Sequence, residues 1–103
     1  MSGPGARPET AVQPKLRLDK FLFQARFFRA RAVAADVVAE GHCRINGQRC
    51  GKPGHGVVVG DVLTFVQGDR IRVVRVLALA ERRGPAAEAQ TLYADLESAS
   101  DLE

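Results

Sequence analysis

The chain has no tryptophan, one tyrosine, one methionine and five phenylalanines among its 103 residues. With so few aromatic side chains, a small domain needs most of them inside to build its core. No apolar run approaches the ~20 residues of a membrane-spanning helix, and the N-terminus has no apolar stretch of the signal-peptide kind. No membrane partner is therefore expected, and the expected location is cytoplasmic. Enzyme signatures are missing as well. No Ser/His/Asp or Cys/His arrangement stands out, and Gly51-Lys52-Pro53-Gly54 lacks the earlier glycine of a phosphate-binding loop. The chain is read as a non-enzyme with no cofactor and no internal repeats.

What is present is charge, unevenly placed. The formal net charge is only +3. Between Lys15 and Pro53, however, nine Lys or Arg residues face Asp19, Asp36 and Glu40 alone. From Gly84 onward there are five acids and no base. A basic half beside an acidic end suits a polyanion-binding face, although segregated surface charge alone would look the same.

Residues 1–14 hold three prolines and two glycines without apolar periodicity, which predicts a disordered leader. A first helix is predicted over Arg17–Phe28, with Leu18, Phe21, Leu22 and Ala25 on one buried arc and Arg17, Lys20 and Gln24 on another side. Phe23 and Phe27 fall outside that arc. They either pack under the next helix or stand exposed for base stacking, and packing is favoured because the domain is small. A second helix is predicted over Arg31–Glu40, facing the core with Ala34, Val37 and Val38. It should stop at Gly41, which suits the left-handed position after a helix.

The period then changes. Arg44 to Arg49 contains Asn46-Gly47, a strong signal for a type I′ hairpin turn. Val57–Val59, Val62–Val66 and Ile71–Leu79 read as further strands, separated by Gly60-Asp61 and Gly68-Asp69 turns. In the last of these, arginines alternate with Ile71, Val73 and Val76, predicting a half-buried strand with a cationic outer edge. Pro85 suits the first turn of a final helix over Ala86–Leu96, docked by Leu92, Tyr93 and Leu96.

A two-residue hairpin loop sets Cys43 opposite Cys50. A disulfide is conceivable there, but two free thiols are expected in reducing cytosol. His42 and His55 add potential metal ligands, yet the spacing matches none of the usual zinc patterns, so no metal is expected.

Arg17-Leu18-Asp19-Lys20-Phe21-Leu22, then Phe27-Phe28-Arg29-Ala30-Arg31, then Gly41-His42 and Ile45-Asn46-Gly47-Gln48 together resemble the RNA-binding domain named after ribosomal protein S-four, or alpha-L motif. The resemblance covers roughly Leu16 to Phe65. It implies an α+β fold, with two short helices packed on a small antiparallel sheet and a C-terminal helix following. It divides the chain into the leader, an RNA-binding domain with following strands over 15–83, and a C-terminal helix and acidic tail over 84–103. Arg17, Asp19, Lys20, Arg26, Arg29, Arg31 and Lys52 are the RNA-binding residues it implies. In this group Asp19 caps the helix or orients a neighbouring arginine. Relatives usually carry Ser or Thr at the position of Ala30, so a hydroxyl contact to phosphate is missing here.

Arginine suits such a site because its planar fork grips phosphate oxygens bidentately. Arg29 and Arg31 also stand where the second helix begins, and its dipole favours an anion there. The segment Glu81 to Ala89, followed by Leu92-Tyr93, resembles the C-terminal extension of the bacterial ribosome-associated fifteen-kilodalton heat-shock family. That likeness implies binding of ribosomal RNA on free large ribosomal subunits that carry nascent-chain tRNA. The implied role is rescue or recycling, with peptidyl-tRNA nearby. The chain itself is expected to be a monomer. Two alternatives stay open: a quality-control partner that steadies peptidyl-tRNA during tailing of stalled chains, and a basic protein–protein module.

Overall fold

The computed structural model describes residues 14–96. The predicted leader, apart from Pro14, and the acidic tail from residue 97 lie outside the described residues. A short strand β1 (Leu16–Arg17) leads directly into α1 (Leu18–Gln24), and α2 (Arg31–Ala39) follows. Then come β2 (Cys43–Ile45), β3 (Gln48–Arg49), β4 (Gly56–Val57), β5 (Val62–Gln67) and β6 (Arg70–Val76). A four-residue helix α3 (Ala86–Ala89), a 3₁₀ turn (Gln90–Leu92) and β7 (Tyr93–Asp95) complete the described chain. The fold is α+β: β3-β2-β5-β6-β7 form an antiparallel five-stranded sheet, while β1 pairs with β4 apart from it.

The predicted stripe of the first helix is the centre of the core. Leu18, Phe21 and Leu22 are fully buried and Ala25 nearly so, packed in one cluster with Ala34 and Val38 of α2 and Leu63, Phe65, Val74 and Val76 of the sheet. Burying each such large side chain contributes about 1.5–3 kcal/mol. Val37 is only partly buried against this cluster. Phe27 and Phe28 are buried, with Phe27 edge-on to Phe65 at a centroid distance of 4.8 Å.

The first helix ends four residues earlier than predicted, at Gln24. Arg26 adopts φ 67°, and its N–H donates to the Phe23 carbonyl while the Phe27 N–H reaches back to Leu22. This pair of bonds closes a Schellman motif, here with arginine in the left-handed position that glycine usually takes. The second helix ends the same way at the expected Gly41 (φ 88°), whose N–H and that of His42 donate to Val38 and Val37. Gln24, placed on the solvent side by the helical wheel, is instead buried, and its Oε1 has no hydrogen-bond partner among the described residues. The early stop turns the chain after Gln24, and Phe27 and Phe28 then enter the core against Phe65.

The hairpin obeys its sequence signal. Asn46 (φ 53°) and Gly47 (φ 86°) both take left-handed values, and Ile45 pairs with Gln48 and Arg44 with Arg49. Cys50 donates its N–H to the Cys43 carbonyl. Both thiols are free, Cys43 buried and Cys50 half-buried. Burial and the nearby Cys50 push the Cys43 thiol up to about 12, so it stays protonated at neutral pH.

Two strand readings change. Of Val57–Val59 only Val57 belongs to a strand. In β6 the inward residues are Arg72, Val74 and Val76, while Ile71 and Arg75 point outward, with Ile71 59% exposed. Arg72 can turn inward because its charge is met there: Nη1 donates to Gln67 Oε1 (2.8 Å) and Nη2 to Asp95 Oδ2 (3.1 Å). Its guanidinium also lies over the Phe27 ring, 5.2 Å from the centroid. The predicted final helix shortens to α3 and the 3₁₀ turn, because Tyr93–Asp95 add an edge strand to β6 through Val76, Arg75 and Val74. Backbone bonds from Leu77 and Ala78 to the Leu92 carbonyl hold the crossover in place. Among the described residues, no helix is long and apolar enough to cross a membrane.

Candidate nucleic-acid interface

The site is organised around one buried carboxylate. Asp19 lies in the first turn of α1 and is only 3% exposed. Arg17, just before the helix, donates from Nε to Asp19 Oδ1 and from Nη2 to Oδ2, both at 3.1 Å. From the start of α2, Arg31 brings Nε within 3.6 Å of the same Oδ2. One acid thus holds two guanidiniums whose side chains remain 52% and 45% exposed. Each arginine uses part of its fork inward and keeps the rest for solvent or a ligand.

The charge balance at Asp19 follows from that packing. Burial by itself raises its pKa, but the Arg17 hydrogen bonds and charge, the Arg31 charge and the Lys20 backbone N–H outweigh this and hold it below the ordinary aspartate value. The same bonds raise Arg17 above its usual value. The carboxylate is therefore a fixed anion at neutral pH, an orienting group with no spare proton to transfer.

The surrounding backbone completes the platform. The N–H groups of Leu18 and Asp19 donate to the carbonyls of His55 and Pro53 (2.9 and 3.0 Å), so the start of α1 is already satisfied by the loop after β3. Gly54 in that loop has no side chain where Arg17 lies: a Cβ there would stand 3.4 Å from Arg17 Nη1. Lys52 is implied by the family resemblance, but the approach of this loop to Arg17 was not readable from the residues. Lys52 stands exposed on the same loop and lines an open recess of about 530 Å³ beside Arg49, Cys50 and His55. Lys20 is half-buried on α1. Arg29 is exposed and makes no hydrogen bond or ion pair among the described residues. At the N-cap, Ala30 makes no side-chain cap bond, which costs about 1 kcal/mol relative to a hydroxyl residue.

Arg26 is engaged elsewhere. Its Nε donates to the carbonyl of the buried Gly84 at 2.8 Å. Arg83 likewise donates to the Phe23 carbonyl at 3.2 Å and lies 4.6 Å over the Phe23 ring. Phe23 is thus half-buried under a cation. Among the described residues, no cluster of His, Cys, Asp and Glu has the makings of a metal site.

Comparison with known proteins agrees with this geometry. The S4 domain family model matches residues 16–63, the segment that carries α1, α2, the hairpin and the Lys52 loop. A solved structure of heat shock protein 15 from Vibrio cholerae superposes with a TM-score of 0.78 at 35% identity, covering 85% of this chain and 89% of that one. The chain belongs to the heat shock protein 15 family of S4-domain proteins. Heat shock protein 15 of Escherichia coli is 44% identical over 79 residues, and the homolog from Aeromonas salmonicida is 43% identical over 90. These alignments cover 77% and 87% of this chain, which spans 59% and 66% of those relatives' lengths. More distantly, small ribosomal subunit protein uS4 of Acidithiobacillus ferrooxidans is 36% identical over 67 residues, or 65% of this chain and 32% of that protein. The Vibrio cholerae protein is described as trimeric.

Proposed function

We propose that this chain is a non-enzymatic protein that binds ribosomal RNA on free large ribosomal subunits carrying nascent-chain tRNA, and helps to rescue or recycle them. The observation that carries the reading is the pair of half-exposed guanidiniums fixed on one buried Asp19. Holding two forks at a set spacing suits a surface of closely placed phosphates and 2′-hydroxyls, where RNA is read mainly by shape. Arg29 and Lys20 extend the same cationic face, and Lys52 adds to it from the loop. Membership of the heat shock protein 15 family supports the ribosomal and stress context. In this role no bond is made or broken: contact energy favours one tRNA-bearing state of the subunit, which downstream factors then process.

We take the monomer as the RNA-binding unit, because Arg17, Asp19 and Arg31 come from contiguous elements of one chain. A cytoplasmic site of action goes with the ribosomal target. The test is sedimentation of a cell lysate through a gradient, with and without agents that release stalled chains. Enrichment on free large subunits that grows with such agents and disappears on RNase treatment is the expected result. A position at the top of the gradient under all conditions defeats the ribosomal reading. Salt sensitivity alone does not separate RNA from an acidic protein partner, since screening weakens both.

A further inference from the structure

The helix site does not account for the cations of the hairpin. Arg44 and Arg49 are direct cross-strand partners, both exposed, on the face opposite the buried Cys43 and Ile45. Like charges directly opposite on neighbouring strands destabilise a sheet unless an anion lies between them. Among the described residues Arg44 donates only to the Gly47 carbonyl, at 3.3 Å. Neither arginine forms an ion pair among the described residues. The acids near the hairpin are otherwise occupied. Asp61 accepts from Asn46 Nδ2 and the Val58 N–H, and Glu40 faces His42 at 3.9 Å.

This pair is continuous with the helix site. Arg49 lines the 530 Å³ recess together with Gln48, Lys52 and His55, and none of its lining residues is acidic. Gly54, between Lys52 and His55, lies beside the Arg17 guanidinium, so close that a Cβ there would stand 3.4 Å from Nη1. Cationic and neutral polar groups therefore run from Arg31 and Arg17 over the Lys52–His55 loop to Arg49 and Arg44.

Building on the RNA reading above, we propose that the hairpin arginines and the recess form a second contact site for the sugar–phosphate backbone of a single-stranded RNA segment continuing from the element held at the helices. The recess gives the strand a place to turn around the sheet edge, and the opposed Arg44 and Arg49 share its phosphates. Bridging two stretches of one RNA raises affinity through effective concentration without new protein structure.

The experiment measures fluorescence anisotropy with three labelled RNAs: a stem-loop, a ten-nucleotide uridine strand, and the stem-loop bearing that strand as an overhang. For the native chain the overhang tightens binding about tenfold over the bare stem-loop. Arg44→Gln plus Arg49→Gln abolishes that gain, leaves the bare stem-loop unchanged, and lowers the salt slope on the overhang probe by about 1.4 for two lost phosphate contacts. Arg44→Lys plus Arg49→Lys, which keeps the charge, retains most of the gain. No gain from the overhang, or a gain that survives the glutamine pair, overturns the proposal. So does a change in molar mass of the RNA-free glutamine variant on sedimentation, which would assign the face to a second copy of the chain. The helix site is judged separately, by loss of bare stem-loop binding in Arg29→Glu plus Arg31→Glu. If that binding persists, the helix reading fails while the overhang comparison still decides the hairpin.

Discussion

Two sets of arginines in this protein are chemically identical and are held differently. At the front, Arg17 and Arg31 spend part of their donors on one buried carboxylate and leave about half of each side chain in solvent. At the back, Arg26, Arg72 and Arg83 donate to Gly84, to Gln67 and Asp95, and to Phe23, and the last two also lie over phenylalanine rings. The back set ties the segment after β6 to the turn after α1 and closes the sheet edge. The number of donors used does not separate the sets, since Arg17 and Arg72 each donate two hydrogen bonds and Arg26 and Arg83 one each. What differs is that the front pair converges on one carboxylate, while the back set joins segments distant in the chain. The mild net charge of +3 therefore hides a front face that is far more available to an anion than the total suggests.

Both sets rest on the same core, and the largest effect comes from removing it. Leu22→Asp places an unpaired carboxylate at a fully buried position and costs more than about 4 kcal/mol, a large share of a small domain's stability. Loss of the cooperative thermal transition is expected, with RNA binding lost alongside. A near-native melt would mean that the α1 stripe does not support the two regions. Next comes the front set. Arg29→Glu plus Arg31→Glu should weaken RNA binding about 100-fold, equivalent to about 2.7 kcal/mol, with a lower melting temperature but a cooperative transition, because the new carboxylate at position 31 faces Asp19. Unaltered affinity in a folded double variant would move the site away from these helices.

The back set should respond in the opposite sense. Arg72→Ala removes two side-chain hydrogen bonds and a ring contact, for a loss of about 2 kcal/mol in denaturant unfolding. Binding of a stem-loop RNA to the folded fraction should be unchanged. If the variant kept full stability and lost RNA instead, the division between the two sets would collapse.

Much of this was legible in the residues, and the misses share a cause. The α1 stripe, the Gly41 stop and the Asn46-Gly47 register follow from local periodicity and backbone preference, so they could be read directly. Arg26 could not, because nothing in a single sequence announces that an arginine will take a left-handed conformation and stop a helix whose apolar pattern continues to Phe28. The strand at Tyr93–Asp95 was hidden likewise: Pro85 and the alanines favour a helix, and only pairing with β6 ends it. Arg72 was read as outward because its inward partners, Gln67 and Asp95, come from neighbouring strands. For the site, residue types and their cluster were visible, whereas the shared anchoring of Arg17 and Arg31 on Asp19 required the fold.

The smallest expected effect tests that anchoring directly. Asp19→Asn keeps the shape of the side chain and removes the charge that both front arginines share, for a loss of about 1 kcal/mol, because the arginines are half in water. Asp19 is held below the ordinary aspartate value in the folded chain. Its contribution is therefore complete at neutral pH and fades as pH falls from the unfolded value, about 3.9, through the lower folded one. The stability difference between native chain and variant should accordingly be widest near pH 7 and vanish in strong acid. On RNA the salt slope should hold, since the count of phosphate-facing cations is the same, while affinity changes only a few-fold as the forks lose their common anchor. A difference that stayed constant down to strong acid would show that Asp19 contributes through packing and not through its charge. The front arginines would then be oriented by their own backbone positions, and the contrast with the back set would rest on exposure alone.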